Sequence, residues 1–242
     1  FVATAETKLP CPSNFPADFI VEYTAQTRGW FYTLMVLGTA LFGREPFKNC
    51  ICHGVILDEN GQKLSKRLRN YPDPLEVFDT IGSDAMRYFV VSSPVVNGGD
   101  LFIPKTSQGI AEILRLIIKP IWNSYNFFAM YANSDGITAQ KSYISANTMD
   151  IYILSKLREF LEGFKHEMDS YNTQTSCKLI EDFIDVLNNW YIRRNKERFW
   201  KVEKDEDKTT AYNTLYTVIL DFTTAISPIL PFTSEAIFQK MN

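Results

Sequence analysis

The chain has 242 residues, 45% of them hydrophobic, and a formal net charge of −3. That length suits one large domain or two modest ones, no apolar run is long enough to span a bilayer, and the start, FVATAETKLPCPSNFPADF, lacks the basic and apolar regions of a signal peptide. Acidic and basic residues nearly balance, so whole-chain charge does not announce a nucleic-acid partner and any polyanion site has to be local.

The chain begins without methionine and reads as starting in mid-chain; a soluble, cytoplasmic protein is expected. Residues 18–23 (DFIVEY) read as a strand running into a polar end. Residues 27–41 read as a buried helix closed by Gly43, and residues 49–57 as a second apolar strand. Asp58-Glu59-Asn60-Gly61 follows, and Asn-Gly signals a turn because both residues tolerate positive φ. Asp73 is set as an N-cap, with Pro74 at the first helical position and Glu76 three after the cap. Gly82 stops that helix and Ser83 begins the next.

From about residue 105 the texture changes to amphipathic helices, which sets a domain boundary near Pro104. A long helix is expected over 108–132, kinked at Pro120. Leu154, Leu157, Leu161, Phe164 and Met168 step by three and four and make one apolar stripe. Ile180, Phe183, Ile184, Leu187 and Tyr191 make a second. Leu215, Val218, Ile219, Phe222 and Ile226 make a third, ended by Pro228. Helices of this kind with short connections build a bundle. Residues 133–146 and 201–208 read as loops, and His166 as a solvated side chain. Cys11, Cys50, Cys52 and Cys177 read as reduced, buried thiols. Cys50-Ile51-Cys52 lacks the second pair of a zinc site, and its spacing places both thiols on one strand face.

The stretch KLSKR places Lys63, Lys66 and Arg67 just after the turn, with Ser65 between the lysines. Ammonium groups on a loop can close on phosphates and release them, and they act most strongly where charge develops on a leaving pyrophosphate. On charge pattern alone a solvated basic turn is the simpler reading. Upstream, His53-Gly54 ends an apolar run, and a glycine there permits close backbone approach. No G-x-x-x-x-G-K-[ST] match exists, which sets aside a P-loop nucleotide binder.

The string HGVILDENGQKLSKRLRNYPDPLEVFDTIGSDAMRYFVVSS resembles the signature segment of class I aminoacyl-tRNA synthetases, whose mobile loop has the pattern K-M-S-K-S. Leu64 stands for Met and Arg67 for the last Ser. Residues 22–31, EYTAQTRGWF, resemble the isoleucyl-type pattern E-G-x-D-Q-x-R-G-W-F, and residues 189–200, NWYIRRNKERFW, resemble the isoleucyl anticodon-bundle helix. The resemblance covers nearly the whole chain, in the family's order.

What it implies is the second half of a Rossmann-type α/β catalytic domain over residues 1–75, a stem-contact region over 76–104 and an anticodon-binding helical bundle over 105–242. It implies Lys63, Ser65 and Lys66 on the ATP phosphates, His53 and Gly54 near adenine, Glu22 and Gln26 at the aminoacyl-adenylate, and Trp30 walling the isoleucine pocket or serving as a core aromatic. It implies tRNA contacts from Arg193, Arg194 and Arg198. ATP with Mg2+, isoleucine and tRNA-Ile are the implied ligands, with no zinc site and no membrane. Two features depart from the family. Tyr23 and Ala25 replace the Gly and Asp that serve the adenylate ribose, and the H-I-G-H signature is not in this chain. The expectation is therefore half an ATP site within an isoleucine-specific ligase, inactive alone; the alternative is a stand-alone tRNA-binding module without chemistry.

Overall fold

The computed structural model describes residues 13–241; Cys11 lies outside them. The chain divides into two compact units. One holds the residues up to Asn70 together with Ser93–Ile103, and the other holds Tyr71–Ser92 and Pro104 onward. The expected connecting region is thus shared between the two.

In the first unit β1 (Ala17–Tyr23) leads through a 3-10 turn, Thr24–Arg28, into α1 (Trp30–Phe42) and then β2 (Phe47–His53). β1 and β2 pair in parallel, with Ile20 beside Cys50, Glu22 beside Cys52 and Tyr23 beside His53. Gly43 takes a left-handed conformation (φ 71°) and its N–H donates to Thr39 O, so it ends α1 as a C-cap glycine does. Gly38 lets α1 settle against Pro46, whose Cβ would lie 3.0 Å from an added methyl.

The apolar strand expected over 49–57 is two strands. It breaks at Gly54-Val55, and β3 (Ile56–Leu57) joins a separate parallel pair with β4 (Leu101–Phe102). The break has a steric origin: a Cβ at Gly54 would stand 1.7 Å from the Gly99 carbonyl oxygen, and Gly54 N–H donates to Val95 O at 2.8 Å.

Nor is α1 a buried helix. Only Phe31 and Gly38 are buried on it, while Tyr32 is 64% exposed and Trp30, Met35, Val36, Leu37 and Leu41 are exposed with it. Phe19 and Val21 on β1 are also exposed. Parallel sheets are ordinarily covered on both faces, so the apolar character of this unit exceeds what the described residues cover.

The second unit is helical. α2 (Pro74–Thr80) starts as the sequence dictates, with the Asp73 carboxylate accepting from Leu75 N–H. α3 (Ser83–Val91) follows, then α4 (Gln108–Ile113), a widened π segment over Leu114–Ile118, and α5 (Lys119–Asp135). The π segment stands just before Pro120, where a kink was expected; proline withholds an N–H, and a wider turn accommodates the ring. α6 (Thr148–Asp169), α7 (Thr173–Asp185), a second π segment over Val186–Ile192, α8 (Arg193–Trp200), α9 (Glu206–Ile226) and α10 (Pro231–Met241) complete it. Ser124 links α5 to the second π segment: its Oγ stands 2.9 Å from Asn188 Oδ1 and 3.0 Å from Pro120 O, one hydroxyl proton facing both acceptors.

The bundle core takes Leu157, Phe164, Ile180, Leu187, Tyr191, Leu215, Val218, Phe222 and Ile226, all members of the three stripes. Tyr88 of α3 belongs to the same core, and its hydroxyl donates to Cys177 O at 2.8 Å. Asp84 of α3 holds the start of α10, accepting from Thr233 N–H at 2.7 Å and Thr233 Oγ1 at 2.8 Å. Among the described residues no helix is long and apolar enough to cross a membrane.

Candidate functional site

The first unit gathers Glu22, Gln26, Trp30, His53 and Gly54 at the carboxyl ends of β1 and β2, where ligands of open α/β sheets bind. Glu22, next to last on β1, is exposed, with Oε2 accepting from Tyr23 N–H at 2.8 Å. Gln26 reaches forward from the 3-10 turn, and its Oε1 accepts from Trp30 N–H at 2.9 Å, satisfying an open donor at the start of α1. Gly29 makes room for this, since a Cβ there would lie 2.8 Å from Gln26 Oε1. Trp30 itself is 45% exposed and is no core aromatic.

His53 stands beside Tyr23 with ring centroids 6.2 Å apart. Its Nδ1 donates to Gly54 O at 2.9 Å. The close approach that Gly54 permits is made by the chain's own Gly99.

The basic loop hangs from a small polar knot that the sequence reading missed. Asp58 is buried at 6% exposure. Its Oδ1 accepts from Asn60 N–H at 2.9 Å and Gln62 N–H at 2.8 Å. Asn70 Nδ2 donates to Asp58 Oδ2 at 2.7 Å, and Asn70 Oδ1 accepts from Ser65 N–H at 2.9 Å. The Asn70 amide, then the Gln62 N–H, hold the Asp58 carboxyl below the ordinary aspartate value. The turn uses positive φ only at Gly61 (φ 75°) within the Asn-Gly pair, and Gly61 N–H donates to Asp58 O. An aspartate opening a turn, twelve residues from an asparagine that precedes Tyr-Pro, was the available signal.

Lys63 and Lys66 are exposed, Ser65 is half-buried, and among the described residues no carboxylate pairs with either lysine. Two ammonium groups are thus carried on a loop whose root is fixed and whose charges are uncommitted.

In the second unit the cationic helix sorts into two kinds of residue. Arg193 and Arg194 are exposed, and the Arg194 guanidinium lies 3.6 Å from the ring centroid of Trp190. Trp190 is 40% exposed, and Lys196 sits over the exposed Trp200. Arg198, assigned to tRNA by the resemblance, is instead turned inward. Its side chain is 12% exposed, and its guanidinium donates to both oxygens of fully buried Asp150, at 2.7 and 3.0 Å, and to Asp207 at 2.7 Å. Tyr191 OH also donates to Asp150, at 2.7 Å. Those donors are spent inside the protein, so the outward-facing pair is Arg193 and Arg194. Sequence spacing put Arg194 and Arg198 on one helix face; it could not show that Asp150, 48 residues away, takes one of them.

Among the described residues no group of three or more His, Cys, Asp or Glu is arranged to hold a metal ion.

Residues 3–101 match the family "tRNA synthetases class I (I, L, M and V)", and residues 150–242 match "Anticodon-binding domain of tRNA ligase". The chain is 58% identical over 230 residues to an isoleucine–tRNA ligase of Wolbachia sp. subsp. Brugia malayi, covering 95% of this chain and 20% of that protein. It is 58% identical over 233 residues to the isoleucine–tRNA ligase of Rickettsia bellii (strain OSU 85-389), covering 96% of this chain and 21% of that one. The chain therefore spans about one fifth of the curated relatives it matches. Its fold is shared with Mycobacterium tuberculosis methionyl-tRNA synthetase in complex with methionyl-adenylate, at TM-score 0.75 and 20% identity, over 93% of this chain and 44% of that one. It is shared also with an Agrobacterium radiobacter K84 LeuRS solved as a ternary complex with tRNA and LeuAMS, at TM-score 0.71 and 16% identity, over 94% and 28% of the two chains.

Proposed function

Since this chain belongs to the class I tRNA synthetases, joining part of their catalytic domain to an anticodon-binding domain, we propose that it is the segment of an isoleucine–tRNA ligase that supplies the phosphate-binding loop and the anticodon-binding bundle. The observation that carries this reading is the KLSKR loop: Lys63 and Lys66 uncommitted, Ser65 tied through its N–H to Asn70, and the whole loop rooted on Asp58.

In that reading isoleucine attacks the α-phosphate of ATP and pyrophosphate departs. Lys63 and Lys66 offset the charge growing on the departing phosphates, where fixed cations act most strongly. Glu22 and Gln26 face the adenylate, His53 and Gly54 bound the adenine, and Trp30 offers its exposed face to the amino acid. Ala25 brings no ribose hydrogen bond and Tyr23 narrows the approach, so sugar contacts come from other groups. Mg2+ would arrive on the triphosphate. In the bundle, Arg193 and Arg194 take phosphates of tRNA-Ile, and Trp190 under Arg194 offers a stacking face to an unpaired base. The exposed apolar residues of α1 and β1 favour a segment of a longer enzyme over a stand-alone tRNA-binding module.

Two measurements on the chain test this. Filter binding of tRNA-Ile at two salt concentrations should show weak, salt-sensitive binding. ATP–pyrophosphate exchange with isoleucine should be absent. Binding that ignores salt would remove the cationic helix from the RNA surface, and isoleucine-dependent exchange would show that this half-site is complete in itself.

A further inference from the structure

Cys50 and Cys52 project from one face of β2, two residues apart, and their sulfurs stand 3.8 Å from each other. The extended strand returns side chains to the same face at every second residue, about 6.6 Å apart along the backbone, and the two thiols lean toward each other across that gap. The sulfur separation also has a coordination meaning. Two thiolates each ~2.3 Å from a tetrahedral ion stand about 3.8 Å apart. The two side chains therefore already place their sulfurs at the bite of a tetrahedral, thiophilic cation. Cys50 is exposed and Cys52 half-buried, so the pair is open to solvent from one side.

We propose that Cys50 and Cys52 form a two-thiolate capture site for a soft d10 divalent cation of the zinc group. Binding is a proton exchange with no change of oxidation state. Each S–H bond breaks, the proton goes to solvent, and the sulfur pair is donated to the ion. Before binding, the two sulfurs contact each other; partial burial and then the neighbouring Cys52 push the Cys50 thiol up. The described residues provide no preformed third donor, so the remaining positions are filled by water and the ion is exchangeable. Glu22 is the register partner of Cys52 and lies on the same sheet face. A cation on the two sulfurs thus sits beside a carboxylate assigned to the adenylate and one residue before His53. The site itself stands whether or not that assignment holds.

The test is titration of the reduced chain with Cd2+, followed by the ultraviolet thiolate-to-metal charge-transfer band, with Zn2+ as competitor. One equivalent of Cd2+ should bind per chain, Zn2+ should displace it, and Cys50→Ser or Cys52→Ser alone should abolish most of the band. Cys11→Ser should leave it unchanged, and Cys177 is buried away from solvent. Circular dichroism of each variant establishes that the fold is kept, with Cys52→Ala as a second variant at the less exposed position. A full band in either single serine variant, or its loss in Cys11→Ser, would overturn the proposal.

Discussion

Asn70 Nδ2 donates to Asp58 Oδ2 at 2.7 Å, and this one bond closes the loop that carries Lys63, Ser65 and Lys66. The same asparagine fixes the middle of the loop through Ser65 N–H. Asn70→Ala removes both contacts and leaves the buried Asp58 carboxylate with only the turn N–H groups. Trypsin should then cut at Lys63, Lys66 and Arg67 several-fold faster than in the parent chain, while the bundle stays intact. Equal cutting rates would show that the loop does not depend on this knot.

Acid should open the same loop. The folded-state value of Asp58 is depressed, mainly by the Asn70 amide. A depressed carboxylate contributes stability that is present above its unfolded value and lost as pH falls through the folded one. Trypsin is unsuited to acid, so the measurement is amide exchange of Asn60, Gln62 and Ser65. Their protection should hold down to the ordinary aspartate range near 3.8 and fall below it. Loss of protection already near neutral pH would contradict the assignment.

Arg198 and Arg194 should separate stability from binding. Arg198→Ala leaves Asp150 buried without its guanidinium, and breaking a buried pair costs about 3–5 kcal/mol. Denaturant unfolding should register that loss, and Arg198→Lys should restore only part of it because lysine cannot reproduce the two-point contact. Arg194→Ala should change unfolding by no more than about 1 kcal/mol and should weaken tRNA binding by about 1–3 kcal/mol when combined with Arg193→Ala. Unchanged RNA binding in that double variant would place the RNA surface elsewhere.

Gly54→Ala should damage the first unit selectively. The new methyl would meet the Gly99 carbonyl oxygen at 1.7 Å and its carbon at 2.6 Å. Backbone has to move to relieve this, and such overpacking costs about 1–3 kcal/mol. Exchange protection across β2 and β3 should fall while α6 to α9 keep theirs. A fully protected β2 in the variant would show that the segment at Gly98-Gly99 yields easily.

The helical stripes were legible because a 3.6-residue period reports directly which side is buried. Leu157, Ile180, Leu215 and Phe222 are all below 2% exposed. The period survived even the π segment at Val186–Ile192, since Leu187 and Tyr191 remain in the core. The N-cap at Asp73 was legible for a local reason: proline and aspartate act within one turn. α1 misled because hydrophobic content announces burial without saying by what. Arg198 misled because ion pairs form across sequence distances that no spacing rule covers. The knot under the basic loop was missed on the same ground, its two halves lying at opposite ends of the stretch that drew attention.

The passage of Tyr71–Ser92 into the helical unit, before the chain returns for Ser93–Ile103, also dictates an order of assembly. On a ribosome the sheet-containing unit cannot close until β4 has emerged, by which time α2 and α3 are already outside. Those two helices must then wait for α7 to cover Tyr88 and for α10 to accept the Asp84 cap. Synthesis therefore passes through a long interval in which an apolar helix pair is finished but homeless, and that interval is where a chaperone would find this protein.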